Sequence, residues 1–460
     1  PQANGFLPNL PPPLQCAPSF IALSLAPMPA PLASFSKDEL KTLQNELQQK
    51  YDAIKQQKLA LDITRGKPSA EQLSLSDGMM KALSTNELIF VGSDARAIDL
   101  RNYGGLEGIP DARRLGADLL GLKPDEVIAA GNSSLTLMYQ AMSFAVLFGS
   151  ADGEAAWKNC PAKFICPVPG YDRHFAICEE LGIEMIAVPM NSAGPDMDMV
   201  EALVKNDPAI KGMWCVPKYS NPDGCVYSHD TVERIAKLGL IASANNNKGF
   251  RVFWDNAYAV HDLVDNPPVL ANIMELCRQH KTEDSVLQFA STSKITFAGA
   301  GLAWMGASER NIKSFLKHLG MATIGADKIN QARHVKFLPD MKAVQAQMKK
   351  HAAVLKPRFD CALKKLESEL NADYGSWGKP QGGYFVSFDT QPGLATTVVQ
   401  LANDAGVKLT PAGSTYPYKK DPHNRNIRIA PSFPTLAELD KAMDVFVLCV
   451  KLATVNQKLA

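Results

Sequence analysis

From Val127 onward the chain repeats one rhythm: a short β-branched or apolar run, then a longer stretch with apolar residues at helical spacing. The runs are Val127 to Ala130, Phe164 to Cys166, Met185 to Val188, Gly212 to Val216, Val252 to Trp254, Val286 to Phe289 and Leu302 to Met305. Strands alternating with helices in this way predict an α/β fold, a mostly parallel sheet sandwiched by helices. Such a sheet binds ligands beyond the carboxyl ends of its strands, so the residues just after each run are the ones to search.

Past about residue 330 the rhythm changes. A long polar-faced helical stretch, roughly Met341 to Leu370, precedes candidate strands at Gly382 to Phe388, Val407 to Leu409 and Ile427 to Ile429, and a closing helix starts at Thr435. This predicts a smaller α+β domain. Near the other end, Ser36 and Glu39 fit a Ser-x-x-Glu capping box. Apolar residues at Leu40, Leu43, Leu47, Tyr51 and Ile54 then predict an amphipathic helix ending before Leu61, which completes that smaller domain. The 460 residues thus divide into a Pro-rich extension (1–34) with no core of its own, an N-terminal helix and arm (35–69), a large domain (70–330) and a small domain (331–460). There are no internal repeats.

Charge excludes several classes of function. With 48 Lys+Arg against 47 Asp+Glu, the net charge of +1 gives no electrostatic pull toward nucleic acid or an acidic membrane. No apolar run approaches the roughly 20 residues a spanning helix needs. The nine cysteines are scattered, without a Cys-x-x-Cys pair or a His/Cys cluster at metal-ligand spacing. They predict reduced core thiols, a cytoplasmic location and no metal site.

Three runs after predicted strands carry chemistry. Ser291-Thr292-Ser293-Lys294 puts an amine where a ligand binds, able to form a Schiff base with an aldehyde cofactor; alone, it reads more readily as a solvated loop lysine. In Asp255-Asn256-Ala257-Tyr258 a carboxylate closes a buried strand, where it needs a positive or hydrogen-bonding partner, unless it is simply a helix N-cap. Asn221-Pro222-Asp223-Gly224, in isolation, is an ordinary turn.

Together and in this order, the three runs resemble the Asn-Pro-x-Gly, Asp-x-x-Tyr and Ser-x-x-Lys motifs of the fold type I (class I) pyridoxal-phosphate aminotransferases. Further segments extend the likeness over about residues 35 to 460. Asn102-Tyr103-Gly104-Gly105 resembles the segment whose tyrosine reaches the neighbouring subunit's cofactor phosphate. Asn132-Ser133-Ser134, opening a helix, resembles the phosphate-binding turn, where free N–H groups and the helix dipole suit an anion. Tyr171 matches the aromatic that stacks on the cofactor ring. Arg428, in Asn426-Ile427-Arg428-Ile429, matches the arginine that grips the substrate α-carboxylate with its planar fork. The phrases Ile63-Thr64-Arg65-Gly66-Lys67-Pro68 and Ser-Thr-Ser-Lys-Ile-Thr-Phe are similar to those of a divergent aspartate aminotransferase subgroup.

The resemblance implies pyridoxal 5′-phosphate as cofactor and a homodimer with shared sites. It implies ping-pong amino transfer between an L-amino acid, aspartate first, and 2-oxoglutarate. Lys294 would carry the Schiff base and the proton, Asp255 would meet the ring nitrogen, Asn221 and Tyr258 the ring phenolate, and Ser133, Ser291, Asn132 and Tyr103 the phosphate. Arg428, Asn221 and Gly66 would face the substrate. Other donors (aromatic, alanine, 2-aminoadipate) and a non-catalytic cofactor-binding sensor are the competing readings. Two departures stand out. Gly301-Leu302-Ala303-Trp304-Met305-Gly306 lacks the arginine that better-known branches use for the phosphate, and Met321 falls where an arginine from across the dimer binds a side-chain carboxylate. Arg65, Lys67, Lys328 and Arg333 are the candidate substitutes.

Overall fold

The computed structural model describes residues 31–460 apart from 93, 95, 96 and 152. Eight strands form the large sheet: β1 (Val127–Ala129), β2 (Lys163–Val168), β3 (Glu184–Asn191), β4 (Gly194–Pro195), β5 (Ile210–Cys215), β6 (Arg251–Asp255), β7 (Val286–Ser291) and β8 (Ala303–Ala307). Their order is β1-β8-β7-β6-β5-β2-β3-β4. The five central strands β7-β6-β5-β2-β3 run parallel, whereas β8 lies antiparallel to both neighbours and β4 folds back on β3.

Both faces of this sheet are buried because alternate side chains feed different cores. Phe164, Trp214, Phe253 and Phe289 pack on one face against the helix Ser134–Phe148, while Met213, Val252, Trp254 and Val286 pack on the other against the helix His229–Ala244. That arrangement explains why the strands read as continuous apolar runs. A third cluster at the β1 edge joins Trp304 to the helices Pro110–Leu120 and Lys328–Phe337.

The second region has its own core around a three-stranded antiparallel sheet of β9 (Gly375–Trp377), β10 (Val386–Thr390) and β11 (Asn426–Ile429). The helix Lys37–Gln56 joins it from the N-terminal side. Its Ser36/Glu39 capping box is formed, and Leu40, Leu47 and Tyr51 share a core with the closing helix Leu436–Leu459. Thirteen of the closing helix's residues are buried, including the unbroken run Val445 to Val450, as expected of a helix wrapped by neighbours on all sides. The 29-residue helix Met341–Glu369, about 44 Å long at 1.5 Å per residue, runs from the first region to the second.

Two expectations need correcting. The strand predicted from Gly382 begins only at Val386. Gly382 lies against the Tyr219 ring, where a Cβ would come within 2.3 Å, and Gly383 has φ +82, so the chain leaves the sheet to cross the Tyr219 and His261 backbone. The segment at Val407 does not join the small sheet; it pairs in parallel with Leu61–Asp62. The Pro-rich extension lies outside the described residues up to 30, but its end is anchored: Leu32 is 2% exposed and its N–H donates to Asp373 at 2.7 Å. Among the described residues no helix is long and apolar enough to cross a membrane, no His/Cys/acid cluster could hold a metal, and the cysteines are free thiols.

Candidate active site

Adjacent parallel strands deliver the chemistry. β6 ends in Asp255, paired in register with Phe289 of β7, so the turn after β7 rises beside the Asp255 carboxylate. That turn carries Lys294. A cavity of about 270 Å³ opens there, lined by eight of the residues singled out in the sequence: Gly66, Ser133, Tyr171, Asn221, Asp255, Tyr258, Ser291 and Lys294. Wider clefts of about 860 and 900 Å³ elsewhere hold none of them, so size does not mark the site; the convergence of titratable groups does.

Burial pushes the Lys294 amine below its ordinary value, with the Asp255 charge opposing the shift. The amine lies 5.0 Å from the centre of the Tyr258 ring and 5.9 Å from that of Tyr384. Burial raises the Tyr258 and Tyr171 hydroxyls above their ordinary values, so both remain protonated donors at neutral pH. Asp255 is no N-cap: its chain continues into a turn, and its Oδ2 pairs with His174 Nε2 at 3.1 Å. The His174 ring stacks on Trp214, centroids 4.2 Å apart, which fixes its plane. Asp255 Oδ1 is buried without a partner. A carboxylate oxygen left unsatisfied at a cavity wall is an acceptor awaiting a donor.

Also in the lining, Ser133 caps the helix Ser134–Phe148, accepting from the Leu135 N–H at 3.2 Å. The Ser291 and Ser293 hydroxyls sit 3.0 Å apart, and Ser293 also donates to the Asn132 carbonyl. Asn132 itself does not line the cavity; its side-chain amide reaches the Gly299 carbonyl. Among the described lining residues Lys294 is the one cation, so the anion-suited end is made of hydroxyls and a helix N-terminus.

Arg428 comes from β11 of the small sheet. Its Nη1 donates to Asp172 at 2.8 Å and to Asn221 Oδ1 at 3.4 Å, its guanidinium lies 4.8 Å from the Phe385 ring centre, and its Nε is buried without a partner. Gly66 meets the same phenyl ring so closely that a Cβ would fall within 2.0 Å of it.

Other residues lie apart. Tyr103 is 83% exposed, on a loop whose Asn102 and Gly104 carbonyls are held by Lys328. Arg65 pairs with Asp62, Lys67 lies over the Phe433 ring and Arg333 holds Asn330, while Met321 is exposed. Sequence reasoning missed His174, Ser293 and Phe385. His174 stands three residues after Tyr171 on one helical turn, and Ser293 lies inside the quoted Ser-Thr-Ser-Lys; nothing local marks Phe385, which the Gly-Gly crossing brings in.

The residues fit pyridoxal phosphate: an unpaired carboxylate oxygen for a protonated ring nitrogen, a buried lysine for its aldehyde and a hydroxyl-rich helix N-terminus for its phosphate. Fold and site together are those of a fold type I pyridoxal-phosphate aminotransferase. The chain belongs to the aspartate aminotransferase family, whose model matches residues 35–460. An aspartate aminotransferase of Corynebacterium glutamicum is 45% identical over 425 residues, 92% of this chain and 96% of the relative. The crystal structure of an aspartate transaminase from that organism superposes with a TM-score of 0.86 at 44% identity, covering 92% of this chain and 98% of the other. An α-aminoadipate aminotransferase from Thermus thermophilus, 18% identical, shares the fold with a TM-score of 0.69 over 87% of this chain and 93% of its own.

Proposed function

We propose that the protein is an L-aspartate:2-oxoglutarate aminotransferase, a cytoplasmic homodimer working by a ping-pong mechanism. The observation that carries the reading is one cavity lined by both a buried Lys294, its amine pushed below its ordinary value, and an Asp255 whose second oxygen is unpaired. The relative named an aspartate aminotransferase supports the donor.

Bound pyridoxal phosphate supplies an aldehyde for an amine and a ring that withdraws electrons. Asp255 would hold the ring nitrogen's proton with its unpaired oxygen, while His174 fixes the carboxylate through the other. The Asn221 oxygen is turned to Arg428, which leaves its amide N–H₂, with the Tyr258 hydroxyl, for the ring's phenolate side. Ser133, Ser291 and the helix N-terminus would hold the phosphate, with support from Asn132 and from Tyr103 of a neighbouring subunit, and Tyr171 would take the ring. Arg428 would offer its free Nε to the α-carboxylate, and Gly66, lacking a Cβ, makes room for the Phe385 ring over which the guanidinium lies. Lys294, its amine more easily neutral than an exposed lysine's, would take the substrate α-proton as base and give it up again as acid. The division into arm, large domain (70–330) and small domain (331–460) belongs to the same reading.

One observation favours a second donor class: no cation besides Lys294 lines the described cavity, so nothing there meets a side-chain carboxylate. The test is a visible-absorption titration of the cofactor-loaded protein with L-aspartate. A spectral change reversed by 2-oxoglutarate, with parallel lines in two-substrate rate plots, is expected. A spectrum that ignores aspartate but responds to aromatic amino acids, alanine or 2-aminoadipate sinks the aspartate assignment. No response to any donor leaves a cofactor-binding sensor.

A further inference from the structure

Three buried histidines lie beneath the turn that carries Lys294, and each touches it. His334 donates from Nδ1 to the Asn330 carbonyl at 2.8 Å, and its Nε2 lies 3.0 and 3.2 Å from the Thr296 and Thr292 hydroxyls. His351 donates from Nε2 to the Ile295 carbonyl at 3.0 Å and receives the Gln72 amide on Nδ1 at 3.1 Å. His261 faces the Lys294 carbonyl through Nε2 at 3.3 Å. A carbonyl only accepts, so in each ring the nitrogen facing it carries a proton, and burial pushes all three rings below the ordinary histidine value, toward the neutral form.

His261 differs from the other two. Its Nδ1 is buried with no partner, and a buried acceptor left unmade is destabilising, so an apolar side chain would suit this spot better were packing the only demand. What the imidazole contributes is its single N–H, and that N–H meets the peptide of the lysine itself. The ring centre lies 5.7 Å from those of both Tyr258 and Tyr384, the two rings that flank the Lys294 amine. Its own carbonyl accepts from the Gly383 N–H at 3.0 Å, which ties the assembly to the segment that brings in Phe385.

We propose that His261 is a positioning residue for Lys294: its Nε2–H holds the carbonyl of the lysine's own peptide and, with Tyr258 and Tyr384, sets the direction from which the amine enters the cavity. The inference rests on the reading of Lys294 as the cofactor-bearing lysine. The groups facing the pair are Asp255, Tyr258 and Tyr384 around the amine, and His351, Lys218 and the two tyrosines around the imidazole. Burial and the Lys294 charge both hold His261 neutral, so it keeps this donor geometry across the working pH range.

The experiment uses side chains that mimic one ring nitrogen at a time. A glutamine amide reaches the Nε2 position and keeps the bond; a phenyl ring keeps the packing and loses it. In holoenzyme, the visible band of the Lys294–cofactor adduct is followed against pH. His261→Gln is expected to keep the wild-type midpoint. His261→Phe is expected to raise it by roughly one unit, as the loosened turn lets water reach the adduct nitrogen and favours its charged, protonated form. It should also lower kcat about tenfold with KM unchanged. A His261→Phe midpoint and kcat equal to wild type, or a fall in melting temperature in both variants with neither midpoint moved, overturns the proposal. Should His261→Phe not fold, His261→Asn, whose amide reaches only the Nδ1 position, is expected to show the same rise, and an unmoved midpoint there overturns it equally. Absence of any adduct in the wild type sinks the assignment of Lys294 itself, a result distinct from all of these.

Discussion

The two regions meet the cavity in different ways. The large sheet presents Asp255, Ser291 and Lys294 from the ends of neighbouring strands, backed by buried pairs such as His174 with Asp255. The small-sheet region brings Phe385, just before β10, into the lining and Arg428 of β11 against the lining residues Asn221 and Phe385, and it touches the site through few polar contacts, chiefly Arg428 with Asp172 and Asn221 and Gly383 with His261. One region holds its groups by packing beneath them, the other by a core of its own that extends from the closing helix to Tyr258 and Phe385 at the cavity. Reactivity and recognition are therefore separable: damage to either core should be read differently by a stability assay and by a rate.

Lys294→Ala gives the sharpest split. It should cut turnover by about 10⁴-fold or more, the scale expected when nucleophile and proton carrier go together, with the melting temperature nearly unchanged. Turnover within tenfold of wild type would break the comparison. Phe446→Ala should do the reverse. This ring is fully buried in the closing helix and meets Phe388 edge-on at 5.2 Å, so its loss should cost about 3–5 kcal/mol in denaturant unfolding while the folded fraction keeps its kcat. A loss below about 1 kcal/mol would mean the second core is not holding that region.

Acid sharpens the contrast from the large-sheet side. Burial pushes the His334 ring down to about 4, whereas the unfolded chain titrates near 6.5. Below that pH the unfolded state binds a proton the folded state refuses, so stability present above pH 6.5 is withdrawn as the pH falls. By pH 4 this one ring withdraws of order 3 kcal/mol. Denaturation midpoints measured between pH 7.5 and 4.5 should fall, and less steeply in His334→Gln; equal slopes would remove His334 from the account.

The large sheet was legible because burial on both faces writes each strand as an apolar run, and the residue after such a run is placed by the strand. Lys294, Asp255 and Asn221 were read on that basis. The small region was harder. Gly375 to Trp377 has no such run, and the strand expected from Gly382 starts late because tertiary contact with Tyr219 and His261 overrides local pattern. Phe385 and the histidines under the lysine turn come from segments distant in sequence, so only folding places them beside the site. Arg428 was found through its resemblance to a family segment; its grip on Asp172 was not visible at all.

The capping-box helix Lys37–Gln56 has one further consequence, for the chain during its synthesis. Its apolar stripe of Leu40, Leu47 and Tyr51 finds its partner in the closing helix Leu436–Leu459. Roughly 400 residues separate the two, so at ribosomal speeds of about 5–20 residues per second the first helix waits on the order of 20–80 seconds for its cover. The large sheet is complete by Ala307 and can settle in the meantime, whereas the small region cannot close until its last turns emerge. For that interval the nascent chain carries an uncovered hydrophobic stripe, a natural client surface for chaperones and the place where a truncated product would first betray itself by aggregation.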